Sequence, residues 1–267
     1  MIESVRNSRV RDVRKLAQKA ERTERGLFVL EGPQAVREAL HDRPDLITEL
    51  FATPTAMERH HDLAELADAA GIEVVWATEE VVDAMCDTRT PQGVVAVARQ
   101  FPVAIKRLFD ESPQLVVILE EVRDPGNLGT IIRVADAAGA DAVILTGRSV
   151  DLYNPKVVRA TTGSLFHVPI AVDGDFLDAS VRAKTAGMRL VAADIDGDDL
   201  LAARNAGDLA QPTAWVFGNE ARGLPDDIIA QCDATIAVPN YGRAESMNLA
   251  TAASVCLYES AFAQRSA

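Results

Sequence analysis

ILEEVRDPGNLGTIIRVADAAGADAVILTG, residues 118–147, runs from an apolar strand-like piece through a Pro-Gly turn into a helical stretch, then into a second apolar piece. The flanking runs LVVILE (115–120) and AVILT (142–146) carry almost no polar residue. Strands read this way when both faces of their sheet are covered. Asn127 stands where a helix cap is expected, ahead of a helix over 128–138. Arg133 follows six residues later, under two turns away, so both side chains are expected in one cleft. A Gly-rich strand-to-helix turn also suits a dinucleotide, but G-x-G-x-x-G is absent, with only Gly126 and Gly129 present. Spacing alone leaves a capped helix and a nucleotide turn both open.

The same alternation extends outward. Further strands are predicted at 167–172, 189–194, 213–218 and 234–239, with helices at 155–162, 176–186, 225–232 and 248–262. Such a pattern implies an α/β fold whose parallel sheet is covered on both sides, with ligands gathering at the carboxyl ends of its strands. Ahead of it, strands are expected at 27–31, 47–52, 72–77 and 93–99, and helices at 8–22, 33–40, 56–71 and 79–85. Pro102 and Pro113 interrupt the pattern. A smaller N-terminal α/β domain (1–100), a linker (101–114) and a C-terminal domain (115–267) follow.

Composition narrows the classes. A chain of 267 residues with 48% hydrophobic residues can bury two cores. No apolar run approaches the roughly 20 residues that span a bilayer, and the charged start MIESVRNSRVRDVRK is no signal peptide. The three cysteines lie far apart and the four histidines show no ligand spacing, so neither disulfides nor a metal are expected. These features indicate a cytoplasmic protein. The net charge of −13 opposes nucleic-acid binding. The charge is uneven, however. Residues 1–25 hold eight basic residues against four acids, which reads equally as a solvated helix face or as an RNA-contacting strip.

Two more segments carry chemistry. In WVFGNEARGLPDDI (215–228) a strand stops at Gly218, and Asn219 and Glu220 emerge where a ligand can meet backbone. In IAVPNYGRAESMNLATAASVCLYESAF (236–262) a strand ends at Pro239. A loop with Tyr241, Gly242, Arg243, Glu245 and Ser246 leads into a helix capped by Ser246 or Asn248. Small residues along that helix (Ala250, Ala252, Ala253, Ser254) suit close packing, including at a subunit interface.

Taken in order, the three segments resemble the SpoU/TrmH RNA 2′-O-ribose methyltransferases of the SPOUT superfamily. Asn127, Gly129 and Arg133 match the family's first motif. Gly218, Glu220 and Gly223 match the second, and VPNYGRAESMN matches the third. Two positions depart from it: Asn240 stands where Met is usual and Met247 where Leu is usual, the latter a volume-conserving change. The resemblance covers about 115–262. FVLEGPQAVREAL and TRTPQGVVAVA resemble the family's L30-like substrate-binding domain.

The resemblance implies a parallel-sheet SPOUT fold with a C-terminal trefoil knot, S-adenosyl-L-methionine as cofactor, an RNA substrate and a homodimer. Ile195, Gly218, Val238 and Met247 are expected at the cofactor. Arg133 is expected as the central catalytic group, in its own subunit or across the dimer, with Asn127, Glu220, Ser246 and Asn248 orienting it and the ribose. Lys156, Arg159 and Arg243 are expected to contact phosphates. Ribosomal RNA of the 23S type is favoured as substrate over transfer RNA. Rival readings are a non-catalytic RNA-binding or ribosome-assembly protein that kept the fold, a base-nitrogen methyltransferase, and an oxidoreductase. The intact motif residues count against the first, the Arg133 motif and the Ser-x-Asn loop against the second, and the missing nucleotide fingerprint against the third.

Overall fold

In a computed structural model, which describes residues 1–265, contacts divide the chain into two units. One comprises Met1–Phe101 with Asp151–His167, and the other Pro102–Val150 with the chain from Val168 onward. The boundary at Phe101 falls where Pro102 interrupts the pattern.

The first unit begins with α1 (Ser8–Lys15) and α2 (Lys19–Arg25). A single helix over 8–22 is expected from periodicity; the chain breaks it at Leu16. Arg22 explains the break, because its guanidinium donates to the carbonyls of Leu16 and Ala17, both at 2.8 Å, and pairs with Asp151 at 2.5 Å. The carbonyls freed by ending the helix are thereby satisfied. Then follow β1 (Leu27–Glu31), α3 (Pro33–Asp42), β2 (Ile47–Ala52), α4 (Pro54–Arg59), α5 (His61–Ala69), β3 (Val74–Trp76), α6 (Glu79–Met85) and β4 (Val94–Arg99). The expected helix over 56–71 is likewise split, at His60. The four strands form a mixed sheet in the order β1-β4-β2-β3. Val10, Val13 and Leu16 pack with Val81, Val82 and Met85 against Phe51, Val95 and Val97.

The second unit starts with β5 (Leu115–Glu120), α7 (Pro125–Ala138) and β6 (Ala142–Thr146). The chain then returns to the first unit with α8 (Pro155–Thr161). Sequence patterning assigned 151–167 to the C-terminal domain. Long-range contacts group it with the N-terminal residues instead. Arg159 donates to the buried carboxylate of Glu31 at 2.9 Å and to Asp87 at 2.8 Å. Tyr153 packs 4.7 Å from the Phe28 ring, and its hydroxyl accepts from the Phe101 amide at 2.8 Å. His167 lies between Asp42 (3.0 Å) and Glu38 (3.4 Å) of α3.

Back in the second unit come β7 (Ile170–Gly174), α9 (Phe176–Thr185), β8 (Arg189–Asp199), α10 (Leu200–Asn205), β9 (Thr213–Phe217), α11 (Asp226–Ile229), β10 (Ala234–Ala237) and α12 (Leu249–Arg265). Its six strands are all parallel, in the order β10-β8-β9-β5-β6-β7. Helices α9 and α11 supply Phe176, Ala179, Ala183 and Ile228 to one face. Helices α7 and α12 cover the other, where the fully buried Trp215 donates to Ser260 at 2.9 Å.

β8 is longer than the run 189–194 suggests because its pairing with β10 slips. Thr235 faces Ala192, and the next residue, Ile236, faces Asp198. Residues 193–197 therefore loop out at the carboxyl end of the sheet. At Gly197 a Cβ would stand 2.6 Å from the Ile236 nitrogen, so only glycine lets the two backbones pass so closely. Among the described residues, no helix is long and apolar enough to cross a membrane.

Candidate functional site

The bulge in β8 and the segments that follow β9 and β10 enclose one cavity of about 510 Å³, inside the roughly 300–1,000 Å³ typical of small-molecule sites. Residues 193–196, residues 217–224 and parts of the stretch from Ile236 to Ala252 form its walls.

The middle wall is a tight turn. The Asn219 amide donates to the Gly223 carbonyl at 3.1 Å, and the Gly223 amide donates back at 2.9 Å. The Asn219 side-chain oxygen accepts from the amides of Ala221 and Arg222, and its nitrogen donates to the Glu121 carbonyl. Gly223 has φ +67°, in the left-handed region. At Gly218 a Cβ would lie 2.5 Å from the Gly223 carbonyl carbon. Both glycines are thus required by the geometry of the wall.

Glu220 is the electrostatic centre of the rim. Its carboxylate accepts from the backbone amides of Arg123 (3.1 Å) and Asp124 (2.9 Å) and from the Asn127 side chain (3.2 Å). Partial burial favours the protonated form. The amides of Asp124, Arg123 and Glu220 itself, together with Asn127, outweigh it and hold the carboxyl below its ordinary range. Asn127 passes the link on: its oxygen accepts from Asn248 at 2.9 Å. Asn248 in turn caps α12, accepting from the amides of Ala250 (2.9 Å) and Thr251 (3.3 Å). One hydrogen-bonded chain, Glu220–Asn127–Asn248, ties together the segments that follow β5, β9 and β10. Beside it, Arg123 and Arg222 both reach the carboxylate of Glu121.

All four residues expected at the cofactor, Ile195, Gly218, Val238 and Met247, line the cavity, as do Glu220 and Ser246. Asn240, the polar departure in the third motif, lines it too. Asn127 and Asn248 are joined to Glu220 as described. Three expectations are corrected. Asn127 does not cap α7: Asp124 does, accepting from the Asn127 amide at 2.8 Å, with Pro125 in the first turn as that position favours. Arg133 does not share a cleft with Asn127. Six residues at about 100° each place it some 120° around the helix, where it is exposed and outside the cavity wall. Arg159 is committed to Glu31 and Asp87 within the first unit rather than free for phosphate. Lys156 and Arg243 are exposed.

Sequence reading missed Asp194, Asp196 and Arg222, which also line the cavity. The rule that ligands gather at strand carboxyl ends pointed to the first two; nothing local marked Arg222.

The donor set suits S-adenosyl-L-methionine, which carries a sulfonium, an ammonium and one carboxylate. Four acids (Asp194, Asp196, Glu220, Asp226) and one cation (Arg222) line the cavity, alongside apolar surface from Phe217, Leu224, Ile236, Val238 and Met247. An acidic wall of this kind favours a ligand of net positive charge.

Residues 114–258 match the SpoU rRNA Methylase family, and residues 7–96 match the MRM3-like substrate binding domain. The chain is 32% identical over 262 residues to the 23S rRNA (guanosine(2553)-2'-O)-methyltransferase RlmP of Bacillus subtilis, covering 96% of this chain and 97% of that one. Among solved structures, an AdoMet-bound rRNA methyltransferase from Sinorhizobium meliloti superposes with a TM-score of 0.84 at 35% identity, covering 97% of this chain and 96% of that one. The SpoU methyltransferase AviRb from Streptomyces viridochromogenes, in complex with AdoMet, gives 0.83 at 30% identity, with 98% and 100% covered. The chain belongs to the SpoU rRNA methylase family.

Proposed function

We propose that this protein transfers a methyl group from S-adenosyl-L-methionine to a ribose 2′-hydroxyl of 23S-type ribosomal RNA in the cytoplasm. In this reading the first unit selects the RNA, and the second unit carries the chemistry. The observation that carries it is the convergence of Ile195, Gly218, Val238 and Met247 on one cavity whose rim is the Glu220–Asn127–Asn248 chain. A trefoil threading of the C-terminal part is included in this reading, and the close passage of β10 over Gly197 supports it.

When bound, the cofactor supplies a methyl group on a positively charged sulfur. The ribose hydroxyl is a weak nucleophile, so the chain must align it and stabilise negative charge on the 2′-oxygen as its proton leaves to solvent. Arg133 does the latter while gripping a neighbouring phosphate. A guanidinium hardly deprotonates, so it is no general base. Glu220, Asn127 and Asn248 hold the rim, and Ser246 orients the ribose. Arg243 and Lys156 contact phosphates.

Arg133 is exposed and outside the cavity of its own chain, which supports a homodimer in which a second copy brings its Arg133 to the site. Light scattering that finds a fully active monomer overturns that part. The whole reading is tested by mapping 2′-O-methylation in ribosomal and transfer RNA from cells with and without the gene, then restoring the missing mark in vitro with purified protein and labelled cofactor. Loss of one large-subunit mark is expected. Unchanged ribosomal RNA, or a mark lost only from transfer RNA, refutes the substrate.

A further inference from the structure

We infer that Tyr241 is a stacking platform for an RNA base at the mouth of the cavity. The inference rests on the function proposed above and adds to it Tyr241, which lies between the Val-Pro and Glu-Ser-Met-Asn parts of the third motif.

The loop between β10 and α12 is fixed at both ends. Asn240, Ser246 and Met247 line the cavity, and the Asn240 side chain donates across the loop to the Glu245 carbonyl at 3.4 Å. Residues 241–244 are left as a tip. Tyr241 is 85% exposed, the most exposed large hydrophobic side chain among the described residues. Gly242 has no atom within 4 Å of where a Cβ would stand. Arg243 is exposed and, among the described residues, makes no hydrogen bond or ion pair.

A single exposed aromatic needs no explanation in general; the position of this one gives it meaning. It is the chain neighbour of a residue in the cavity wall and is followed two places later by an unpaired guanidinium. An aromatic face beside a free cation is how proteins hold splayed RNA bases, the ring stacking on the base and the cation meeting the phosphate. The phenol ring has two flexible torsions, so little order is lost when it is covered.

The test measures equilibrium binding of a fluorescent RNA fragment carrying the mapped target, together with cofactor affinity by calorimetry, for wild type, Tyr241→Phe and Tyr241→Ala. Stacking predicts that Y241A loses about 5- to 150-fold in RNA affinity while Y241F stays within about twofold and both bind cofactor as wild type does. Replacing one base near the target by an abasic site should weaken wild type but leave Y241A nearly unaffected, since the partner is already gone. Equal RNA affinity of wild type and Y241A overturns the inference. So does a Y241A defect confined to cofactor binding or to dimer dissociation, or a loss in Y241F equal to that in Y241A. If wild type methylates no RNA, the functional reading fails first, and that is a separate result.

Discussion

Gly218→Ala should damage the methyl-donor cavity, and the size of the effect follows from backbone geometry. The added Cβ would lie 2.5 Å from the Gly223 carbonyl carbon and 2.6 Å from both the Gly223 oxygen and the Leu224 nitrogen. Ordinary contact begins near 3.4 Å, so the facing Gly223–Leu224 backbone must retreat by about an ångström. These are backbone atoms and cannot swing aside like a side chain. The least costly escape opens the Asn219–Gly223 turn and gives up its two reciprocal hydrogen bonds, each with a net value of about 0.5–1.5 kcal/mol. Forcing the fit instead costs about 1–3 kcal/mol. Either route costs on the order of 1–3 kcal/mol, and the opened turn is the cavity wall itself. At 1.4 kcal/mol per tenfold, affinity for S-adenosyl-L-methionine should fall by roughly 5- to 150-fold. Gly242→Ala is the control: with open space around it, cofactor affinity and stability should stay within about 0.5 kcal/mol of wild type. Isothermal titration with the cofactor, alongside thermal melts, reads both variants. A G218A protein that binds cofactor like wild type refutes the claim that this close approach shapes the wall.

Arg133→Ala should cut methyl transfer at least about 100-fold, the scale for losing a donor to developing charge, with cofactor affinity changed only a few-fold; single-turnover assays with calorimetry separate the two. Arg159→Met removes the charged partner of Glu31, whose side chain is 3% exposed, but leaves the amides of Asp87 and Thr88 donating to it. The loss should fall below the 3–5 kcal/mol of a fully broken buried pair, at about 1–3 kcal/mol, measured by urea unfolding. Glu120 should respond to pH in the opposite sense to Glu220. Burial first, and then the charges of Glu121, Asp175 and Asp227, raise its pKa against a hydrogen bond from Thr146. Its ionised form therefore destabilises the fold at neutral pH. Glu120→Gln should raise the melting temperature at pH 7, and that gain should shrink as pH falls through the raised pKa and vanish below 4.5. The lowered pKa of Glu220 makes its contribution complete at neutral pH and lost only as pH drops through the depressed value.

Much of the second unit could be read directly from the sequence because its strands are short, almost purely apolar and buried on both faces. LVVILE and AVILT fall on β5 and β6 residue for residue. What escaped was set by partners far away in the chain. Leu16 ends a helix because Arg22 and Asp151 satisfy the break, and no window of local sequence contains both. Residues 151–167 have the apolar pattern of their neighbours, yet Arg159 and Tyr153 group them with the N-terminal unit. The β8 bulge is invisible to a period-two pattern because the slip in register is a property of the β8–β10 pair. At the site, residue types in motif order identified the wall, while helical phase decided against placing Arg133 beside Asn127. Asp124 was a legible cap that went unread: an acid directly before proline at a helix start is a local signal.

The net charge of −13 is the strongest sequence-level objection to an RNA substrate, and the ion pairs show where that charge is used. Of the eight basic residues in 1–25, Arg9 pairs with Glu49, Lys15 and Arg25 share Asp12, and Arg22 is buried against Asp151. The basic strip is thus half neutralised, and among the described residues Arg6, Arg11, Arg14 and Lys19 make no ion pair. Acids elsewhere do not cancel a free guanidinium at working salt, because screening confines their influence to about 8 Å. Among the described residues Arg133 and Arg243 make no ion pair, so neither charge is neutralised by a neighbour there. An acidic body with a few unpaired cations gives up the long-range steering and sequence-blind adhesion that a basic surface supplies. RNA recognition by such a protein must come from shape and from a few placed contacts. An enzyme that modifies one nucleotide among thousands needs that kind of binding, in which non-specific affinity would only occupy the site with the wrong RNA.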